Sequence, residues 1–186
     1  MEKQILRRSL LQQRQSLLWE EWQCKSEKIC QRLQDWTIFQ QAQTVLTYFS
    51  VKQEPDLSSL FSFKKTWGVP RCVEKSLVWH CFPSEFPLHT GTYGITEPHF
   101  DAPIVEVDCV DLILVPCVAC DIRGYRLGYG GGFYDRLFSS PSWASKPTIG
   151  IVFQFGLVAE LAIDPWDCTL HAICTEEQII QLGVAA

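Results

Sequence analysis

The chain has no long apolar run. Its longest ones, such as Leu112-Ile113-Leu114-Val115 before Pro116, fall far short of the ~20 residues that cross a bilayer as a helix. It also has no excess of positive charge. With 16 Lys and Arg against 21 Asp and Glu, the net charge is -5, so no overall basic field exists to hold nucleic acid or an anionic membrane. Cations that grip a phosphate must therefore be local. The opening Met1-Glu2-Lys3-Gln4-Ile5-Leu6-Arg7-Arg8 lacks the apolar core and cleavage site of a secretory signal. Glu2, Glu20, Glu21 and the absence of serine enrichment weaken a transit-peptide reading. Internal repeats and low-complexity tracts are also missing. The histidines His80, His89, His99 and His171 show no metal-ligand spacing.

What is present suits one compact α/β domain over residues 1–186. The apolar fraction is 47% and the aromatic fraction 12%, ample for a core at a size where roughly 70% of the unfolded surface can be buried. The nine cysteines are an odd number in a chain large enough to fold without staples. Cys117-Val118-Ala119-Cys120 has no second Cys-x-x-Cys to complete a zinc site. The expectation is a cytoplasmic monomer with reduced thiols.

Apolar spacing predicts a helix over 2–18 and another over 20–35, the second with Trp22, Ser26, Ile29, Cys30 and Leu33 on one stripe. Strands are expected at 45–49, 68–73, 77–82, 111–115, 148–153 and 171–174. A short helix is expected over 56–65, and another from Phe133 to Ser140 stopped by Pro141. Thr175-Glu176-Glu177-Gln178 has a capping-box pattern that predicts a C-terminal helix. Residues 83–108 read as a long connection across one face. Strands alternating with helices imply a three-layer α/β/α, Rossmann-like fold with a mostly parallel central sheet.

The most informative segment is Arg126-Leu127-Gly128-Tyr129-Gly130-Gly131-Gly132-Phe133-Tyr134-Asp135-Arg136. Four glycines in five positions make a floppy connector unless the backbone adopts positive φ or approaches a ligand closely. Such a turn feeding a helix presents amide N–H groups to an anion, and Arg126 and Arg136 add local cations. The segment is neither a Walker A loop, having no Gly-Lys-Ser/Thr, nor the dinucleotide fingerprint, whose third glycine is Phe133 here. Composition leaves phosphate binding and a structural glycine turn both open.

This segment closely resembles the signature of the 5-formyltetrahydrofolate cyclo-ligase (methenyltetrahydrofolate synthetase) family, which usually has Tyr where this chain has Phe133. Other stretches agree in order: Lys3-x-x-Leu6-Arg7, Tyr48-Phe49-Ser50 followed by Glu54, Gly94-Ile95-x-Glu97-Pro98 after Tyr93, and Asp167 in Pro165-Trp166-Asp167. Departures are Pro55-Asp56-Leu57 after Glu54, the Leu77–Phe82 strand, and His171 where an acidic residue is common.

The resemblance implies cyclisation of 5-formyltetrahydrofolate to 5,10-methenyltetrahydrofolate with ATP and Mg2+, releasing ADP and phosphate, after phosphorylation of the formyl oxygen. It implies that Lys3, Arg7 and residues Arg126, Leu127, Gly128, Tyr129, Gly130, Gly131, Gly132, Phe133 and Tyr134 bind ATP. Arg126 and Asp135 would be catalytic, and Asp135 with Asp167 would hold magnesium. Phe49, Glu54, Tyr93 and the 129–133 backbone would bind the folate, with or without a polyglutamate tail. No residue stands out as a general base. Rival readings are a folate- or nucleotide-binding module without turnover and a sugar-phosphate isomerase-like enzyme of similar fold.

Overall fold

The structure is a computed structural model that describes residues 2–182. The chain begins with helices α1 (Glu2–Gln15), α2 (Trp19–Asp35) and α3 (Thr37–Gln41), then enters strand β1 (Thr44–Leu46). A single 3-10 turn precedes the hairpin of β2 (Thr66–Val73) and β3 (Ser76–Phe82). The long connection carries a small hairpin of its own, β4 (His89–Thr90) with β5 (Thr96–Glu97). Next come β6 (Leu112–Pro116), β7 (Ala119–Asp121) and β8 (Arg126–Leu127), then α4 (Phe133–Phe138) and α5 (Pro141–Ala144). The last strands are β9 (Thr148–Ile151), β10 (Leu157–Val158), β11 (Ala172–Cys174) and β12 (Ile179–Gln181).

Seven strands form the central sheet in the order β12-β11-β9-β6-β1-β2-β3. The five inner strands run parallel, and β3 and β12 are antiparallel edges. Side chains alternate across such a sheet. Val45, Leu112, Leu114, Ala172 and Cys174 face one layer, where Ile29, Cys30 and Leu33 of α2 and Phe39 of α3 cover them. Leu46, Ile113, Val115 and Ile173 face the other, under Leu137 and Phe138 of α4 and Trp143 of α5. The stripe expected on α2 is the one it buries, and the three-layer architecture is the one expected.

A second, three-stranded sheet, β10-β7-β8, carries α1 through Leu10, Val118, Ala119, Leu127 and Leu161. Its turn is tied by the fully buried Asp121 carboxylate, which accepts from the N–H groups of Arg123, Tyr125 and Leu161 and pairs with the Arg123 guanidinium at 2.7 Å. This sheet delivers the chain to the glycine loop.

Two expectations are corrected. The chain from Thr175 to Leu182 is not the expected C-terminal helix: it turns back into β12, and whatever part of that expected helix falls on residues 183–186 lies outside the described ones. Thr175 Oγ1 does accept from the N–H groups of Glu177 and Gln178, as a helix cap does. Glu176, however, is held by Lys25 of α2 and the Gln154 N–H, both at 2.7 Å, and Thr175 N–H bonds Gln178 C=O to close a hairpin. Pro141 is the second correction. The helix expected to run to Ser140 ends at Phe138, and Pro141 starts α5 at a first-turn position where the missing N–H costs nothing.

Candidate active site

The glycine loop leaves β8 and enters α4. Gly130 and Gly132 have φ of +95° and +66°, the left-handed region in which a side chain is strained. No N–H of residues 128–132 donates a hydrogen bond within the described structure. Three cations surround this backbone. Arg7 Nε donates to Gly128 C=O at 2.7 Å, and its guanidinium lies against Gly130, where a Cβ would stand 3.6 Å from Cζ. Arg126, nearly buried, donates to Cys168 C=O at 2.8 Å and to Asp135 Oδ1 at 2.5 Å. Arg136 lies over the Phe133 ring and donates to Gly131 C=O at 2.8 Å.

Lys3 bridges two carboxylates, Asp164 at 2.7 Å and Asp167 at 2.6 Å, fastening the start of α1 to the 163–168 loop. Burial alone would raise the Asp167 carboxyl, but the Lys3 ammonium and the Asp164 N–H outweigh it and hold it below its ordinary value. Asp135 and Asp167 both lie near Arg126 and Cys168. Each spends one oxygen on the bonds above, leaving Asp135 Oδ2 and Asp167 Oδ1 without a hydrogen bond among the described residues. Those residues contain no cluster of three or more His, Cys, Asp or Glu suited to a metal. Two free carboxylate oxygens nonetheless suit a hard divalent cation that takes one or two carboxylates and keeps its waters.

On the other side of the loop lies Glu54, only 2% exposed. Lys52 and Gln53 before it adopt φ of +49° and +55°, a turn rarely taken by residues with side chains. Glu54 Oε2 accepts from the Val51 N–H at 3.1 Å, while Oε1 is buried without a partner among the described residues. Burial raises the Glu54 carboxyl, and the charge of Arg14 is the largest opposing influence. Arg14, 3% exposed, donates from Nε to Lys52 C=O at 3.0 Å and from Nη2 to the Tyr129 hydroxyl. Burial, and then the Glu54 charge, raises the Tyr129 hydroxyl well above its ordinary value.

The structure thus gathers Lys3, Arg7, Arg126, residues 128–132, Asp135 and Asp167 in one region, with Glu54 on its far side beside Tyr129. Leu127 is buried in the small sheet and serves packing. Tyr134 packs onto the α4 face of the core. Tyr93, 58% exposed, meets the Phe133 ring edge-on at 5.7 Å, so it stands over the loop. Phe49 instead joins Phe61 and Phe82 in a separate aromatic cluster. Arg14, Lys52 and Asp164 were not anticipated. The available signal was spacing: Lys3, Arg7, Leu10 and Arg14 share one stripe of α1.

Fold and site together define a class: a three-layer α/β enzyme in which a glycine loop and converging cations face a buried carboxylate. The sequence pattern of the 5-formyltetrahydrofolate cyclo-ligase family matches residues 1–176. The chain belongs to that family and is a ligase. It is similar to the 5-formyltetrahydrofolate cyclo-ligase of Escherichia coli strain K12, 26% identical, with 90% of this chain and 97% of that protein covered. The Mycoplasma pneumoniae cyclo-ligase is 30% identical, covering 95% of this chain and all of that protein. An NMR structure of Aquifex aeolicus 5,10-methenyltetrahydrofolate synthetase superposes with a TM-score of 0.87 at 32% identity, covering 100% of this chain and 95% of that one. No helix among the described residues is long and apolar enough to cross a membrane.

Proposed function

We propose that this protein cyclises 5-formyltetrahydrofolate to 5,10-methenyltetrahydrofolate at the expense of ATP, with Mg2+, as a cytoplasmic monomer. ATP phosphorylates the formyl oxygen, the second folate nitrogen attacks that carbon, and phosphate leaves, giving ADP and phosphate. The oxygen of a formamide is a poor leaving group until it is phosphorylated. Phosphoryl transfer asks a protein chiefly for positioning and charge neutralisation.

The observation that carries this reading is the glycine loop, whose amides have no acceptor among the described residues and whose flanks are Arg7 and Arg126. Free N–H groups converging on one place form a cradle for phosphate oxygens. Arg126 adds a fixed charge, and Lys3 and Arg7 extend the grip along α1. Asp135 and Asp167 would hold magnesium through their free oxygens, and the ion would neutralise phosphate charge as it does in phosphoryl transfer generally. Glu54 would accept hydrogen bonds from the folate, while Tyr93 and Phe133 offer an aromatic wall to its flat ring. Phe49, embedded in its own cluster, would act at the periphery.

The test is an assay of the purified protein with 5-formyltetrahydrofolate and Mg2+, with and without ATP, following methenyl product by absorbance and phosphate release in parallel. Product formation that requires ATP and matches phosphate one to one is expected. Ligand binding by calorimetry with no phosphate released would instead identify a binding module without turnover.

A further inference from the structure

Arg14 is out of place on its helix. Lys3, Arg7 and Arg8 are partly or fully exposed, whereas the Arg14 guanidinium is buried among the glycine loop, the Lys52 turn and Glu54. An arginine is seldom fully buried unless its charge and donors are matched. Here two donors are matched by parts that belong to different halves of the site. Nε binds the carbonyl of Lys52, in the strained turn that aims Glu54, and Nη2 binds the hydroxyl of Tyr129, in the glycine loop. Among the described residues Nη1 is buried and unpartnered, as is Glu54 Oε1. A planar guanidinium fixes its donors at set angles, so two such bonds define both distance and orientation in a way a lysine cannot.

We propose that Arg14 is the positioning residue that joins the Glu54 turn to the glycine loop and so sets where the Glu54 carboxyl stands relative to that loop. It acts on substrate through Glu54 and Tyr129, not by touching it. The inference rests on the reading of Glu54 as the folate carboxylate. Groups facing Glu54 come from every element around it: Arg14 on α1, Lys52 on its own turn, Tyr129 on the glycine loop, Tyr48 after β1 and Tyr134 on α4. The two cations favour the carboxylate, and Arg14 contributes more than Lys52. The Tyr48 and Tyr134 hydroxyls, themselves raised by burial, stay neutral and cannot replace that charge.

The experiment compares wild type, Arg14→Met and Arg14→Lys in two readouts. In kinetics, Arg14→Met should raise KM for 5-formyltetrahydrofolate about tenfold or more while KM for ATP changes less than about threefold. The acidic limb of the kcat/KM profile for folate should move up by about one pH unit. Arg14→Lys should return that limb to its place while leaving KM for folate raised, since a single ammonium nitrogen lacks the two separate, fixed donor directions of the guanidinium. Equal losses for both substrates with an unmoved limb, or no loss at all, would overturn the proposal. The second readout is 13C NMR titration of the Glu54 carboxyl in protein without ligands. Its midpoint should rise in Arg14→Met and stay near wild type in Arg14→Lys, and an unmoved midpoint in Arg14→Met would equally refute the role. If Arg14→Met does not fold, Arg14→Lys decides, because a wild-type KM for folate there would refute the two-bond clamp. A wild type inert toward 5-formyltetrahydrofolate and ATP would fail the functional reading alone, and the carboxyl titration would still judge Arg14.

Discussion

The first two helices are neighbours in sequence and opposites in construction. On α2 the buried positions are Ser26, Ile29, Cys30 and Leu33, and the helix is held by apolar packing against the sheet. On α1 the buried positions are Leu10 and Arg14, and the helix is held largely by polar bonds: Lys3 to two aspartates, Arg7 to Gly128, Arg14 to Lys52 and Tyr129. Ile5, which apolar spacing would turn inward, is 65% exposed. The contrast teaches that α2 belongs to the core while α1 is fastened to the site. Damage to α2 should appear as lost stability, and damage around α1 as lost activity.

The sharpest separation comes from the loop that α1 serves. Asp135→Ala, at the half-exposed partner of Arg126, should lower kcat by at least about a hundredfold, with an unchanged circular dichroism spectrum. Normal turnover in that variant would remove Asp135 from the chemistry. On the packed side, Leu33→Ala should cost about 2–5 kcal/mol in urea unfolding, with KM for both substrates unchanged in the molecules that remain folded. A loss below about 1 kcal/mol would mean that α2 is not anchored as described.

Smaller effects refine the contrast. Lys3→Met should raise KM for ATP by several-fold yet cost less than about 1 kcal/mol of stability, since the pair is partly exposed to water. A large stability loss would make α1 a core helix after all. The pair also predicts an acid dependence. Because Asp167 titrates below its ordinary value of 3.8 in the folded protein, its contribution is present above that pH and is lost as pH falls through the lowered value. The stability gap between wild type and Lys3→Met should thus be constant near neutrality and close in strong acid. A gap that widened on acidification would contradict the assignment.

The same contrast explains what the sequence reveals. The apolar stripe of α2 and the run at 112–116 were legible because burial imposes period and hydrophobicity at once. The glycine loop was legible because few backbones need four glycines in five residues. Arg14 was not, since a basic residue on an amphipathic helix ordinarily marks a solvated face, and its partners are remote backbone and hydroxyl groups that leave no local pattern. Thr175-Glu176-Glu177-Gln178 misled for a related reason. Its cap-like bonds do form, but the distant grip of Lys25 on Glu176 and the strand pairing of Ile179 and Ile180 turn the chain into a hairpin. Strands β7 and β8, at three and two residues, are too short to carry a readable alternation.

Trp22 on α2 donates from its indole nitrogen to the Glu54 carbonyl at 2.8 Å, and Ser26 one turn on accepts from the Asp56 N–H. The Glu54 turn is thereby tied through α2 to the packed core, whereas the glycine loop is tied to α1 by Arg7 and Arg14. Trp22, bonded to the Glu54 carbonyl, should report a ligand's arrival at Glu54 as a change in its fluorescence.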